Sequence, residues 1–367
     1  MYMPTIGSSC MGQNMMKVVF FAFLILFSSL TYKNSYAVEL EKEVAIIGSG
    51  PAGLSAAIIT ALYGKNIALL TGPHVKGRFR HSSNPSNWPS QSDVSGQEIM
   101  DSLYTHLEKV MYTKKKNTAF SPHILEETAC HIERGYKDKE LFLITTSEGS
   151  RIVTKTVIIA TGTSPKQLDE TVENAQNFRD VTLVSHLNKD SPSWHGKRIV
   201  IVGSGEDAAT KAIKYSKLAE SVTLVSKHSE MKVSPKTFEK LEEISNLRIV
   251  YNVEPRKLVG DQDRVHSILL HKVDDIAFQI SIGCDFVVEA LGSRPNSRII
   301  QQIVDCDPNG YIQTVEKSSL TSCPGLFAAG NVADSKYQQA FIASSDGMKA
   351  AYDAIAYLTN RKPEKGL

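Results

Sequence analysis

Two glycine clusters carry the clearest chemistry in this sequence. Gly48-Ser49-Gly50-Pro51-Ala52-Gly53 follows the apolar run Glu43 to Ile47 and opens into the small-residue stretch Leu54 to Tyr63. A continuous apolar run marks a strand buried on both faces, and the stretch after the glycines has helical composition. Gly64 breaks that helix, and Ile67 to Leu70 reads as the next strand. In this order each glycine has a physical reason. Gly48 permits the tight turn, Gly50 lets backbone approach a pyrophosphate, and Gly53 lets the helix sit close to the strand. The helix N-terminus then offers free N–H groups to phosphate.

The unit repeats. Lys197 to Val202 is strand-like, Gly203-Ser204-Gly205-Glu206-Asp207-Ala208 is a GxGxxA turn, Ala209 to Lys217 is helical and Ser221 to Val225 is a second strand. Two such units imply two nucleotides, and the economical pair is FAD with a nicotinamide cofactor. An NAD site usually places an acid after the second strand for the ribose 2′-hydroxyl. Ser226 stands there instead, followed by Lys227, His228 and Lys232. Positive charge suits a 2′-phosphate and favours NADPH over NADH; a solvated basic loop is the plainer alternative.

The rest of the chain must position these sites. Its 367 residues suit two domains, and 42% apolar with 22% charged residues is ordinary globular composition. The net charge is +2; residues 1–37 hold Lys17 and Lys33 and no acid, which leaves 39 charges of each sign beyond them. No basic field for nucleic acid exists. The cysteines are Cys10, Cys130, Cys284, Cys306 and Cys323, an odd number with no CxxC pair, so neither a disulfide scaffold nor a metal site is expected. Lys17, the apolar core Val18 to Phe27 and the small-residue end Ser35-Tyr36-Ala37 read as an export signal. The alternative is an uncleaved membrane anchor. Export is the expected localisation, periplasmic or secreted.

Taken together, the motifs resemble the low-molecular-weight thioredoxin reductase family over residues 43–360. Ile46 to Ser55 is similar to that family's FAD motif, Asn87-Trp88-Pro89 to its segment near the flavin, and Val157 to Thr163 to the turn closing its FAD domain. Glu289 to Asn296 resembles the return crossing, Gly325 to Val332 the second FAD motif, and Tyr337-Gln338-Gln339-Ala340 the stretch that meets the flavin ring. The resemblance implies an α/β fold of two Rossmann-like domains, the second inserted in the first: FAD binding by 38–164 plus 293–360, NAD(P)H binding by 165–292, and a tail at 361–367. It adds Thr71, Gly72, Asn87, Thr161, Gly162, Gly330, Asn331, Gln339 and Ala340 to the FAD site. It implies a homodimer, and crossings that let the domains rotate. Residues 100–116 read as an amphipathic helix, and 124–156 as a small antiparallel insert.

The chain departs from the family where the redox cysteines should be. Counting back from Gly203, His186 and Lys189 stand at the two cysteine positions and Asp190 at the family's acid. Neither replacement can form a dithiol. His186 has a titration range suited to proton transfer, with Asp190 one helical turn away to orient it; an exposed loop histidine is the plainer reading. Asn331 replaces an aspartate, Gln338 an arginine, and Lys76-Gly77-Arg78-Phe79 departs from the family's flavin-side loop. The leading expectation is an FAD-dependent NAD(P)H oxidoreductase that passes electrons to a small molecule or redox protein. A disulfide reductase using Cys306, Cys323 or a partner's cysteines, and a non-catalytic nucleotide-binding protein, stay open.

Overall fold

The computed structural model describes residues 38–360 apart from 73, 74, 76, 83, 84, 86, 90–92, 115–119, 169–171, 188–190 and 263. The expected export signal, the C-terminal tail, Lys189 and Asp190 therefore lie outside the described residues.

Apolar runs build the first sheet. β1 (Glu39–Ile47), β2 (Ile67–Leu70) and β3 (His123–Leu125) are parallel neighbours, with α1 (Pro51–Leu62) crossing from β1 to β2 and α2 (Gly96–Lys114) from β2 to β3. β4 (Ala129–Arg134), β5 (Phe142–Thr146) and β6 (Arg151–Ile159) run antiparallel to one another, and β6 returns parallel to β1. Alternation along β1 sends Val44 and Ile46 into a core under α1 and α2, and Ala45 and Ile47 into a second core on the other face. β1 starts four residues before the apolar run, because Glu39 to Lys42 pair with Arg151 to Thr154. The 124–156 segment is thus no separate insert: its last strand is a central strand of the main sheet.

β7 (Thr163–Pro165) leads out of this sheet. The second sheet takes the order β11-β10-β9-β15-β8, all parallel, from β8 (Leu183–Val184), β9 (Arg198–Val202), β10 (Ser221–Val225), β11 (Leu247–Val250) and β15 (Phe286–Glu289). α3 (Glu206–Tyr215) crosses from β9 to β10 and α4 (Pro235–Glu242) from β10 to β11. The antiparallel β12 (Val253–Asp261), β13 (Arg264–Lys272) and β14 (Gln279–Gly283) cover one face, where Leu258, Ile268 and Ile282 meet Val200, Val202 and Val287. On the other face Trp194, Ala208, Ala212 and Tyr215 pack against Ile199 and Ile201.

The chain returns through β16 (Ser293–Pro295), which pairs antiparallel with β7. β17 (Leu326–Ala328) then joins β6 by Phe327↔Ile158, and α5 (Ala340–Asn360) lies on α1. β6 is shared: its first half pairs with β5 and its second half with β17. Small residues allow the close helix contact, since a methyl group on Gly347 would stand 2.0 Å from the Ala52 carbonyl oxygen.

Candidate dinucleotide sites and the segment between them

The first glycine loop is tight everywhere except at one point. A methyl group on Gly48, at φ +108°, would meet the Ala160 carbonyl oxygen at 2.3 Å, and one on Gly53 the Gly48 carbonyl oxygen at 1.8 Å. One on Gly50 would find nothing within 4 Å. Gly50 caps α1 with no side-chain hydrogen bond, Pro51 fills the first turn, and that turn holds no acid. Open space in front of an uncapped, acid-free helix N-terminus fits a pyrophosphate. Ser49 and Ala52 are buried beside it.

Around this loop the resemblance-derived residues take different parts. Thr71 is buried and donates its hydroxyl to the Gly72 carbonyl at 3.1 Å; Gly72 has φ +67°, and a methyl group on it would meet Thr128 Oγ1 at 4.0 Å. Asn87 Nδ2 donates to Gln339 Oε1 at 2.5 Å, joining two residues 252 positions apart. Trp88, next to Asn87, stacks on Phe79 with centroids 5.7 Å apart and meets Phe341 edge-on at 5.5 Å. Phe341 follows Ala340, the first residue of α5, so the cluster ties the Asn87 segment to the start of that helix. Thr161 donates to the Asn296 carbonyl at 2.8 Å, and Asn296 Nδ2 donates back to the Thr161 carbonyl at 2.9 Å. Thr161 thus binds the return crossing, while Gly162, at φ +63°, faces open space. Gly330, at φ +73°, sits between Ala52 and Ala343. Asn331 makes no side-chain hydrogen bond among the described residues. The resemblance put Arg78 on the flavin-side loop and Asn296 in the return crossing but gave neither a contact; their hydrogen bonds to Thr163 and Thr161 supply those.

The second loop repeats the pattern with more charge. A methyl group on Gly203 would meet the Ala290 carbonyl oxygen at 2.2 Å, whereas Gly205 has nothing within 4 Å. Ala208 is buried against the strand. Glu206 and Asp207 occupy the first turn of α3. Each carboxylate is engaged: Glu206 accepts from the Ser234 N–H at 2.6 Å, and Asp207 pairs with Lys211 at 2.6 Å. The Lys232 N–H donates to the Ser204 carbonyl at 2.7 Å, which lays the basic segment along the glycine loop. Ser226 is fully buried and exchanges hydrogen bonds with the backbone of His228. Lys227 stands 3.8 Å from Glu254, and the Lys232 side chain is exposed without a partner among the described residues.

Between the loops lies the stretch to which the resemblance assigned the family's cysteine positions. Ser185, His186 and Leu187 follow β8 in irregular conformation, so the helical spacing expected to bring Asp190 back to His186 does not start at His186. The Leu187 N–H donates to the Tyr215 hydroxyl at 2.9 Å, which holds the stretch to α3. His186 is exposed in an irregular loop, as its plainer reading has it, yet desolvation by the protein around it lowers its pKa, helped by Lys211, His81 and Lys214. At neutral pH this imidazole is an uncharged donor and acceptor, a poorer standing acid than its type suggests. The described cysteines are all free, and none is in this stretch. Burial raises the Cys284 pKa to about 12 and also raises Cys306 and Cys323.

Two dinucleotide loops, each following the carboxyl end of a parallel strand (β1 and β9), are the pattern of flavin- and nicotinamide-dependent oxidoreductases, and residues 42–347 match the Pyridine nucleotide-disulphide oxidoreductase family, to which the chain belongs. Within it the chain is thioredoxin reductase-like. It is 28% identical over 329 residues to thioredoxin reductase 1 of Saccharomyces cerevisiae, covering 88% of this chain and 99% of that one, and 29% identical over 322 residues to thioredoxin reductase of Coxiella burnetii, covering 85% and 95%. The fold matches Lactococcus lactis thioredoxin reductase in its FR conformation with a TM-score of 0.73 at 21% identity, over 87% of this chain and all of that one. The chain is thus an FAD-dependent NAD(P)H oxidoreductase, of a family that uses FAD and NADPH.

Proposed function

We propose that this chain is an NADPH-oxidising flavoenzyme whose electrons leave directly to an acceptor from outside the chain, a redox protein or a small molecule, without an internal dithiol. The carrying observation is that the sequence holds no CxxC pair and no described cysteine lies in the stretch Ser185 to Leu187 that Tyr215 ties to α3.

Bound FAD supplies the two-electron carrier. The Gly48 to Gly53 loop and the α1 N-terminus hold its pyrophosphate, and Asn87, Gln339 and Ala340 border the far end of that site. The Gly203 to Ala208 loop holds the nicotinamide dinucleotide, with Lys227, His228 and Lys232 on its 2′-phosphate side. His186, neutral at pH 7, offers a proton-accepting and -donating imidazole. We divide the chain into an FAD unit, 38–164 plus 293–360, and a nicotinamide unit, 165–292, joined by β7 and β16. Two copies would bury the exposed Phe341, Met348 and Tyr352 of α5 with Leu62 and Tyr63, and export would follow cleavage after Ala37. Sedimentation and N-terminal sequencing of the purified protein test those two points.

A direct test uses ferricyanide, an acceptor that needs no thiol. The Cys306→Ser and Cys323→Ser variants should oxidise NADPH with ferricyanide, and with the physiological acceptor once found, at the parent rate. Loss of turnover in either would overturn the reading.

A further inference from the structure

One cation at the first site has no anionic partner among the described residues. Arg78 lies in the 3-10 turn Arg78–His81, directly after Gly77. Gly77, at φ +64°, lies against the first glycine loop: a methyl group on it would stand 2.8 Å from Gly50 Cα and 3.3 Å from Gly50 N. The turn is therefore stacked on the one glycine of that loop that faces open space. Arg78 Nη2 donates to Thr163 Oγ1 at 2.7 Å, at the start of the outgoing crossing. No carboxylate pairs with it among the described residues. Partial desolvation alone lowers its pKa, with no opposing charge to raise it. Arg78 is nonetheless exposed, so its charge stays solvated, and its side-chain partner among the described residues is a neutral threonine hydroxyl, which leaves the cation free to take an anion.

We propose that Arg78 binds the pyrophosphate of FAD, its guanidinium reaching over Gly50 to the phosphate oxygens while the α1 N-terminus meets them from below. The position adds a full charge to a helix end that offers only partial charges. It also gives a charge-assisted contact to a site whose Asn331 makes none. Arg78 gives up its Thr163 hydrogen bond for the phosphate oxygens when the cofactor binds, so the affinity does not depend on Thr163. The proposal rests on the FAD reading of the first loop and assigns a residue that neither glycine motif contains.

The test is FAD affinity of the full chain, followed by flavin fluorescence across a salt series. Arg78→Gln should raise the FAD dissociation constant about ten- to a hundredfold, the loss of one charge-assisted contact, and flatten its salt dependence. Thr163→Val keeps the cation and should retain parent affinity. At saturating FAD, Arg78→Gln should keep the parent flavin midpoint potential, because the phosphates are remote from the redox ring. Unchanged FAD affinity in Arg78→Gln would overturn the proposal. So would equal weakening by Thr163→Val, which would make Arg78 a strut for the crossing, or a shifted potential, which would place the guanidinium at the ring. If the parent chain itself bound no FAD, the reading of the loop would fail rather than the role of Arg78.

Discussion

The Tyr215 hydroxyl accepts a hydrogen bond from the Leu187 N–H at 2.9 Å, and through it α3 fixes the stretch that carries His186. Tyr215 is almost fully buried against Trp194, with ring centroids 5.3 Å apart. Tyr215→Phe keeps the ring packing and leaves the Leu187 N–H buried without a partner. The loss should be about 1–3 kcal/mol, read as a lower urea midpoint at unchanged slope. An unchanged midpoint would mean that the bond contributes nothing to holding this stretch.

Gly50→Val separates cofactor binding from folding. Its side chain enters open space, so the protein should fold and contain no flavin. Gly53→Ala meets the Gly48 carbonyl oxygen at 1.8 Å and should lower the melting temperature as well. Flavin content and circular dichroism of both variants check this; full flavin in Gly50→Val would remove the first-loop assignment.

The basic segment after β10 should set the choice of nicotinamide cofactor. Lys227→Ala and Lys232→Ala are each expected to raise KM for NADPH about tenfold, the scale of one charge-assisted phosphate contact, with little effect on NADH. Equal effects on both cofactors would show that these lysines do not read the 2′-phosphate.

The pKa shifts make two statements about titration. His186 should titrate below the ordinary histidine value of about 6.5, because desolvation and then Lys211 disfavour its cation. Since the unfolded chain binds this proton more readily, the stability contributed by neutral His186 is present above that ordinary value and is lost as pH falls through the depressed folded one. NMR titration of the imidazole should show the low midpoint, and Lys211→Met should move it upward. Among the described cysteines, exposed Cys130 should alkylate first, and Cys284, with its pKa pushed up to about 12, should resist until unfolding. Mass spectrometry of timed labelling gives the order.

What the sequence disclosed is local. The strand, glycine turn, helix and strand of each unit sit within about thirty residues, where periodicity and glycine spacing act directly. Only the ends moved: α1 begins at Pro51 rather than Leu54, and α3 spans Glu206–Tyr215 rather than starting at Ala209. Pro51 is pre-organised for a first turn, and acids suit a helix start. Pairings across distance were hidden. Nothing in the sequence tells that β6 divides itself between β5 and β17, or that Asn87 meets Gln339. Arg78 was visible as a departure in the flavin-side loop, but what it faces comes from Gly77 lying on Gly50, a tertiary contact. The lack of a CxxC pair, by contrast, is plain in the sequence, because cysteine spacing is a property of the sequence alone.

The most direct measurement is an anaerobic titration of the flavin-loaded protein with NADPH, followed by flavin absorbance. A nicotinamide site working on a flavin with no dithiol behind it predicts complete bleaching at one equivalent of NADPH per flavin. A second equivalent consumed before bleaching ends would reveal a hidden disulfide. A flavin that NADPH fails to bleach would contradict the account altogether, leaving a nucleotide-binding fold without the oxidoreductase chemistry.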